Sequence, residues 1–121
     1  MSSENETTTP DPHCLFCRIV SGEIPDEVVA TNDHAIAFRD RNPQAPVHVL
    51  VIPRRHAANA AETAAQGGTD ALITLADKVA QQEGLDQGYR LVFNTGRDGG
   101  QVVFHTHLHL LGGRNMGWPP G

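Results

Sequence analysis

The sequence predicts an α+β fold: an antiparallel sheet of about five strands, one long helix packed on it, and a short helix near the N-terminus. Three observations predict this. Five short runs have strand character, one segment alone sustains a long helical periodicity, and no internal repeat divides the chain. At 121 residues the length fits one domain, large enough to bury a core without disulfide support.

Residues 1–13 are Ser, Thr, Glu, Pro and Asp without an apolar anchor, and read as a disordered N-terminal tail. A single domain is expected over 14–121, its last ten residues an irregular Gly- and Pro-rich tail. Residues 14–20 form a short helix closed by Ser21 and Gly22. Strands at 28–30 and 35–38 are joined by the turn-forming Asn32 and Asp33. After the Pro-rich loop 40–46, the run 47–52 is almost continuously apolar, which predicts a strand covered on both faces, and Pro53 ends it. Leu72, Leu75, Ala76, Val79 and Ala80 recur at helical spacing, so 69–83 is the long helix, with Thr69 as its cap and Gly84 just past its end. Strands at 89–94 and 101–111, with the glycine-rich turn 95–100 between them, complete the sheet.

Nine Lys and Arg against fourteen Asp and Glu leave a net charge of −5, without the clustered basic face that coats a nucleic-acid polymer. No apolar run approaches the roughly 20 residues that span a bilayer, and the first residues lack the charged and apolar parts of a signal peptide. The expectation is a soluble cytoplasmic protein with neither a nucleic-acid polymer nor a membrane as partner.

Three of the seven histidines, His105, His107 and His109, alternate with Phe104, Thr106, Leu108 and Leu110. On a strand this puts three imidazoles on one face and mostly apolar residues on the other. A plain solvated face would normally carry Thr, Lys and Glu, so two chemical readings compete: a metal site, or catalysis at phosphorus by a neutral imidazole. Gly99, Gly100 and Gln101 at the head of the strand offer backbone amides to an anion, and Asn94 adds a side-chain amide. His48, on the strand expected to be buried, needs a partner, and the histidine row supplies candidates. Carboxylates are scarce near the row, which favours phosphate over a hydrolytic metal.

The stretch His105-Thr106-His107-Leu108-His109-Leu110-Leu111 resembles the motif of the histidine triad (HIT) superfamily, particularly its nucleotide-binding, adenosine 5′-monophosphoramidase branch. The resemblance extends over 14–121 through Asn42-Pro43-Gln44-Ala45-Pro46-Val47-His48, Val51-Ile52-Pro53-Arg54-Arg55-His56, Asp98-Gly99-Gly100-Gln101, Gly112-Gly113-Arg114 and Trp118-Pro119-Pro120-Gly121.

The resemblance implies a HIT-like fold, two subunits joined as a homodimer, and hydrolysis of the P–N bond between AMP or GMP and an amine. His107 would be the nucleophile, its other ring nitrogen held by the carbonyl of His105, and His109 would donate to a phosphate oxygen. Asn94, Gly100 and the backbone of Gln101 would assist beside the phosphate, with Val102 near the leaving group. Asp40 would take the ribose hydroxyls, and Phe16, Ile19, Phe38 and Leu50 would form the purine slot, with His48 beside it. Trp118 would reach the partner's site. Val102 stands where many phosphoramidases have a hydroxyl residue, Arg41 where an aliphatic one is common, and Gly117 where a polar one is found. Rivals are a dinucleoside-polyphosphate hydrolase or nucleotidyl transferase with the same nucleophile, and a non-catalytic nucleotide-binding or docking module.

The chain's two cysteines form a C-x-x-C pair, Cys14 and Cys17, which alone fits zinc, free thiols or a disulfide. The resemblance implies a structural zinc held by Cys14, Cys17, His56 and His105, with no cofactor for the chemistry. His105 thus has two competing roles, one at the phosphate and one at the metal.

Overall fold

The computed structural model describes residues 13–121, so the predicted tail lies, except for His13, outside the described residues. The elements are α1 (Leu15–Val20), β1 (Val28–Thr31), β2 (Ala35–Arg39), β3 (Val47–Pro53), α2 (Ala60–Ala65), α3 (Thr69–Gln82), β4 (Tyr89–Phe93) and β5 (Leu108–Gly112). The five strands form one antiparallel sheet, as expected from the sequence, and their order is β1-β2-β3-β5-β4.

Strand alternation sorts the side chains between two layers. Ala35 and Ala37 of β2, Val49 and Val51 of β3, and Leu108 and Leu110 of β5 face α3, where they bury Leu72, Leu75, Ala76, Val79 and Ala80. Ile36, Phe38, Leu50 and Ile52 project to the other face, against Phe16 and Ile19 of α1. β3 is apolar apart from His48 because both of its faces are covered. The odd–even rule also puts His48 and His109 on the α1 face, since their neighbours Val49, Leu108 and Leu110 are on the α3 face.

α3 ends as its sequence predicts. Gly84 takes φ +73°, its amide donates to Gln81 O and the amide of Leu85 to Ala80 O, which closes the last turn as a Schellman motif. Its start differs from expectation. Gly68 is the N-cap, and the Thr69 hydroxyl, expected to cap, lies inside the first turn, buried and without a partner. α2 was not anticipated, although its capping signature is present: Asn59 Oδ1 accepts from the Glu62 amide, and Glu62 Oε1 from the amide of Ala58.

The largest correction concerns the expected strand 101–111, of which only the part from Leu108 pairs. The β3–β5 ladder stops at Val51↔Leu108, and 101–107 bonds instead to the last residue of β3 and the loop after it. The Thr106 amide donates to Ala57 O, the His105 ring to Pro53 O, and Gln101 Nε2 to Ala58 O. Phe104, expected on the apolar face opposite the histidines, is exposed. Thr106 is buried, its hydroxyl bonded to that of Thr63 in α2.

Candidate active site

The histidines do not form one row of equivalent rings. His109 sits on β5 opposite Leu50, and its Nδ1 lies 2.9 Å from Nε2 of His48 on β3. The Gln44 amide donates to Nδ1 of His48, so the proton of a neutral His48 is on Nε2 and is donated to His109. That leaves the His109 proton on Nε2, which is buried and without a partner. Asp40 Oδ2 is 3.4 Å from His48 Nε2, while its Oδ1 accepts from the Asn42 amide. Burial holds His48 below the ordinary imidazole range against the opposing pull of Asp40. Burial first, then the neighbouring His107 and His48, push His109 down to about 4.

His107 lies in the irregular segment before β5. Its Nδ1–H donates to the carbonyl of His105 at 2.8 Å, which leaves Nε2 unprotonated. The His107 ring stacks edge-on against Phe16 (centroids 5.1 Å apart) and His109 (5.0 Å). Asn94 follows the last residue of β4, one step beyond the Phe93↔Leu108 pair.

The ring of His105 turns away from this pair. Its Nε2–H donates to Pro53 O at 2.9 Å, and Nδ1 points into a cluster with Cys14, Cys17 and His56. Burial pushes its pKa down to about 4. Nδ1 of His105 lies 3.3 Å from Cys14 Sγ, 3.4 Å from Cys17 Sγ and 3.1 Å from His56 Nδ1, and Cys17 Sγ lies 3.2 Å from His56 Nδ1. Tetrahedral zinc with N and S ligands sets such atoms about 3.3–3.8 Å apart. Two thiols and two imidazole nitrogens, one of them stripped of its proton by the bond to Pro53, therefore fit that ion. Both ring nitrogens of His105 point away from the His107–His109 face, and what this residue turns toward His107 is its backbone carbonyl.

Phe16, Ile19, Phe38, Leu50 and Asp40 line one cavity of about 200 Å³, in which Phe16 meets Phe38 edge-on. Asp26 and Arg41 also line it; the sequence reading missed Asp26, because Pro25-Asp26 reads only as a turn. The glycine loop differs from expectation. The amides of Gly100 and Gln101 donate to the carbonyls of Arg97 and Gly96, and the Gln101 side chain braces the loop by accepting from the Gly96 amide. Gly99 is required by close approach, since a Cβ there would meet Thr95 O at 2.3 Å. Val102 is 84% exposed on the rim of a second cavity that also reaches Cys14 and His56. Trp118 is 82% exposed, its ring 6.0 Å from the guanidinium of Arg90, which also donates to Gly117 O.

The profile of the HIT domain matches residues 21–116. The chain belongs to the histidine triad family. A HIT family hydrolase from Legionella pneumophila superposes with a TM-score of 0.85 at 51% identity, covering 90% of this chain and all of that one. Adenylylsulfatase HINT1 of Arabidopsis thaliana is 46% identical over all of this chain and 88% of its own length. A 14 kDa zinc-binding protein of Zea mays is 44% identical over the whole of both chains. The histidine triad chain described here falls in the nucleotide-binding branch of that family. Among its described residues no helix is long and apolar enough to cross a membrane.

Proposed function

We propose that this protein is a purine nucleoside phosphoramidase, hydrolysing the P–N bond of AMP– or GMP–amine adducts through a nucleotidyl-histidine intermediate. One observation carries the reading: His107, with a bare Nε2, packs its ring against that of His109, whose Nε2–H is unpartnered, and against Phe16, which lines the neighbouring cavity. A lone pair beside a hydrogen-bond donor is what displacement at a phosphoryl group needs. The purine occupies the slot of Phe16, Ile19, Phe38 and Leu50, and Asp40 accepts from the ribose. His107 Nε2 forms a bond to the α-phosphorus while the P–N bond breaks and the nitrogen leaves with its electron pair, to be protonated as the amine. The imidazolium that develops is stabilised through Nδ1–H by the His105 carbonyl, and His109 Nε2–H is donated to a phosphoryl oxygen. Water then attacks phosphorus, releases the nucleotide and restores His107. The activity for which the Arabidopsis relative is named is compatible with this centre, since an adenylyl group bound to sulfate or to an amine presents the same phosphorus.

Cys14, Cys17, His56 and His105 would hold zinc, which supplies structure rather than chemistry: it would clamp the residue whose carbonyl sets the His107 tautomer. The protein is further read as a cytoplasmic homodimer. The test of function is His107→Asn, expected to lower turnover of an adenosine phosphoramidate by at least about a thousandfold while AMP still binds. Mass spectrometry of the native chain mixed with an activated adenylate should place the adduct on His107. Retention of most of the turnover by the variant would overturn the mechanism.

A further inference from the structure

The slot assigned to the purine is apolar on its flat sides, but its lining also contains charge. Four of the residues around the cavity are ionic: Asp26, Arg39, Asp40 and Arg41. Arg39 is committed elsewhere, with three bonds to Glu27 and Glu83. Asp40 is bonded to Asn42 and approaches His48, on the side of the histidines. Asp26 and Arg41 are left to meet the polar edge of a base.

The Asp26 side chain is only 6% exposed, yet it is sparsely bonded. Its Oδ1 accepts from the Glu27 amide at 2.8 Å, and its Oδ2 is held loosely by Arg41 Nε at 3.5 Å. A carboxylate has about four lone-pair sites, so acceptor capacity remains on a side chain shielded from water. Arg41 is anchored by its Nη2, which donates to Pro25 O at 2.8 Å.

We propose that Asp26, steadied by Arg41, reads the edge of the base and makes this site prefer guanine over adenine nucleotides. The inference rests on the purine-nucleotide reading above and names the base within it. Guanine presents two adjacent donors, N1–H and the 2-amino group, which match the two oxygens of one carboxylate, with the acceptor O6 next to them for the guanidinium. Adenine offers the carboxylate its 6-amino group alone. Guanine therefore gains one more charge-assisted hydrogen bond, in a site where a missing partner leaves a shielded carboxylate under-bonded.

Titration calorimetry with GMP, IMP and AMP on the full chain tests this, because IMP retains N1–H and O6 but lacks the 2-amino group. The native protein is expected to bind GMP at least about tenfold more tightly than AMP, with IMP between them. Asp26→Ala and Asp26→Asn should bring the GMP/AMP ratio to within about twofold, the loss falling chiefly on GMP; Arg41→Ile should reduce it partially. Equal affinities in the native protein, or an unchanged ratio in both Asp26 variants, would overturn the proposal. Turnover of guanosine and adenosine phosphoramidates separates the two readings. Equal binding with intact turnover sinks base selection alone. Selective GMP binding without turnover supports base selection and sinks the enzymatic reading. Failure of all three nucleotides to bind sinks both.

Discussion

His109 concentrates the chemistry of the site in one ring, and its environment makes a prediction about protons. Burial, followed by the nearby His107 and His48, lowers its pKa to about 4, whereas in an unfolded chain it titrates near about 6.5. Between those values the unfolded state binds the proton and the native state does not, so stability is fully present above about 6.5 and declines as the pH falls through 4. His48, also lowered, contributes in the same direction. The expected outcome is a His109 ring resonance that titrates near 4 by NMR, with a urea midpoint lower at pH 4.5 than at pH 7. Titration of His109 near 6.5 would mean that the folded chain does not hold this ring shielded from water beside His107 and His48. The spacing of the three histidines was legible in the sequence. Their proton positions were not, because these depend on the amide of Gln44 and the carbonyls of Pro53 and His105, backbone groups that no side-chain pattern advertises.

At the scale of elements, α1, the loop after β3 and the segment before β5 converge at Cys14, Cys17, His56 and His105, with Phe16 of α1 packed on the rings of His105 and His107. α1 has just six residues, too short to be stable by itself, so its anchorage comes from the burial of Phe16 and Ile19 against the sheet and, on the proposed reading, from the metal. Elemental analysis should find about one zinc per chain, and Cys17→Ser should cost about 2 kcal/mol or more, a fall in Tm of roughly 10 °C. A chelator should lower stability before it affects turnover in molecules still folded; immediate loss of activity without unfolding would point to a metal in the chemistry itself. The same region shows where sequence reading weakens. α3 was readable because its periodicity and its terminal glycine agree. Residues 101–107 alternate like a strand, yet their partners are the carbonyls of Pro53, Ala57 and Ala58, so tertiary bonding overrides the local pattern. α2 is short and Ala-rich, with little apolar periodicity, and only Asn59 and Glu62 announce it.

For the molecule as a whole, the sheet order leaves β4 at an edge, and in the proposed dimer a second copy would join there. Ile73 projects from α3 with 43% of its surface exposed, Tyr89 of β4 is bonded to Asp77 of α3, and Arg90 carries the tail alongside by its bond to Gly117 O. Trp118, left largely bare, is then held next to the surface where a partner's sheet would continue. If two copies join across β4 and α3, sedimentation should give twice 13.0 kDa at micromolar concentration, and Ile73→Glu should shift the species toward a single chain. Because each tail would then lie against the other copy, removal of the residues after Gly113 should change the preference among leaving amines more than it changes stability. A native protein that sediments as one chain would dispose of the dimer. A dimer whose truncated form kept the same preference would mean that Trp118 meets the partner without reaching its substrate.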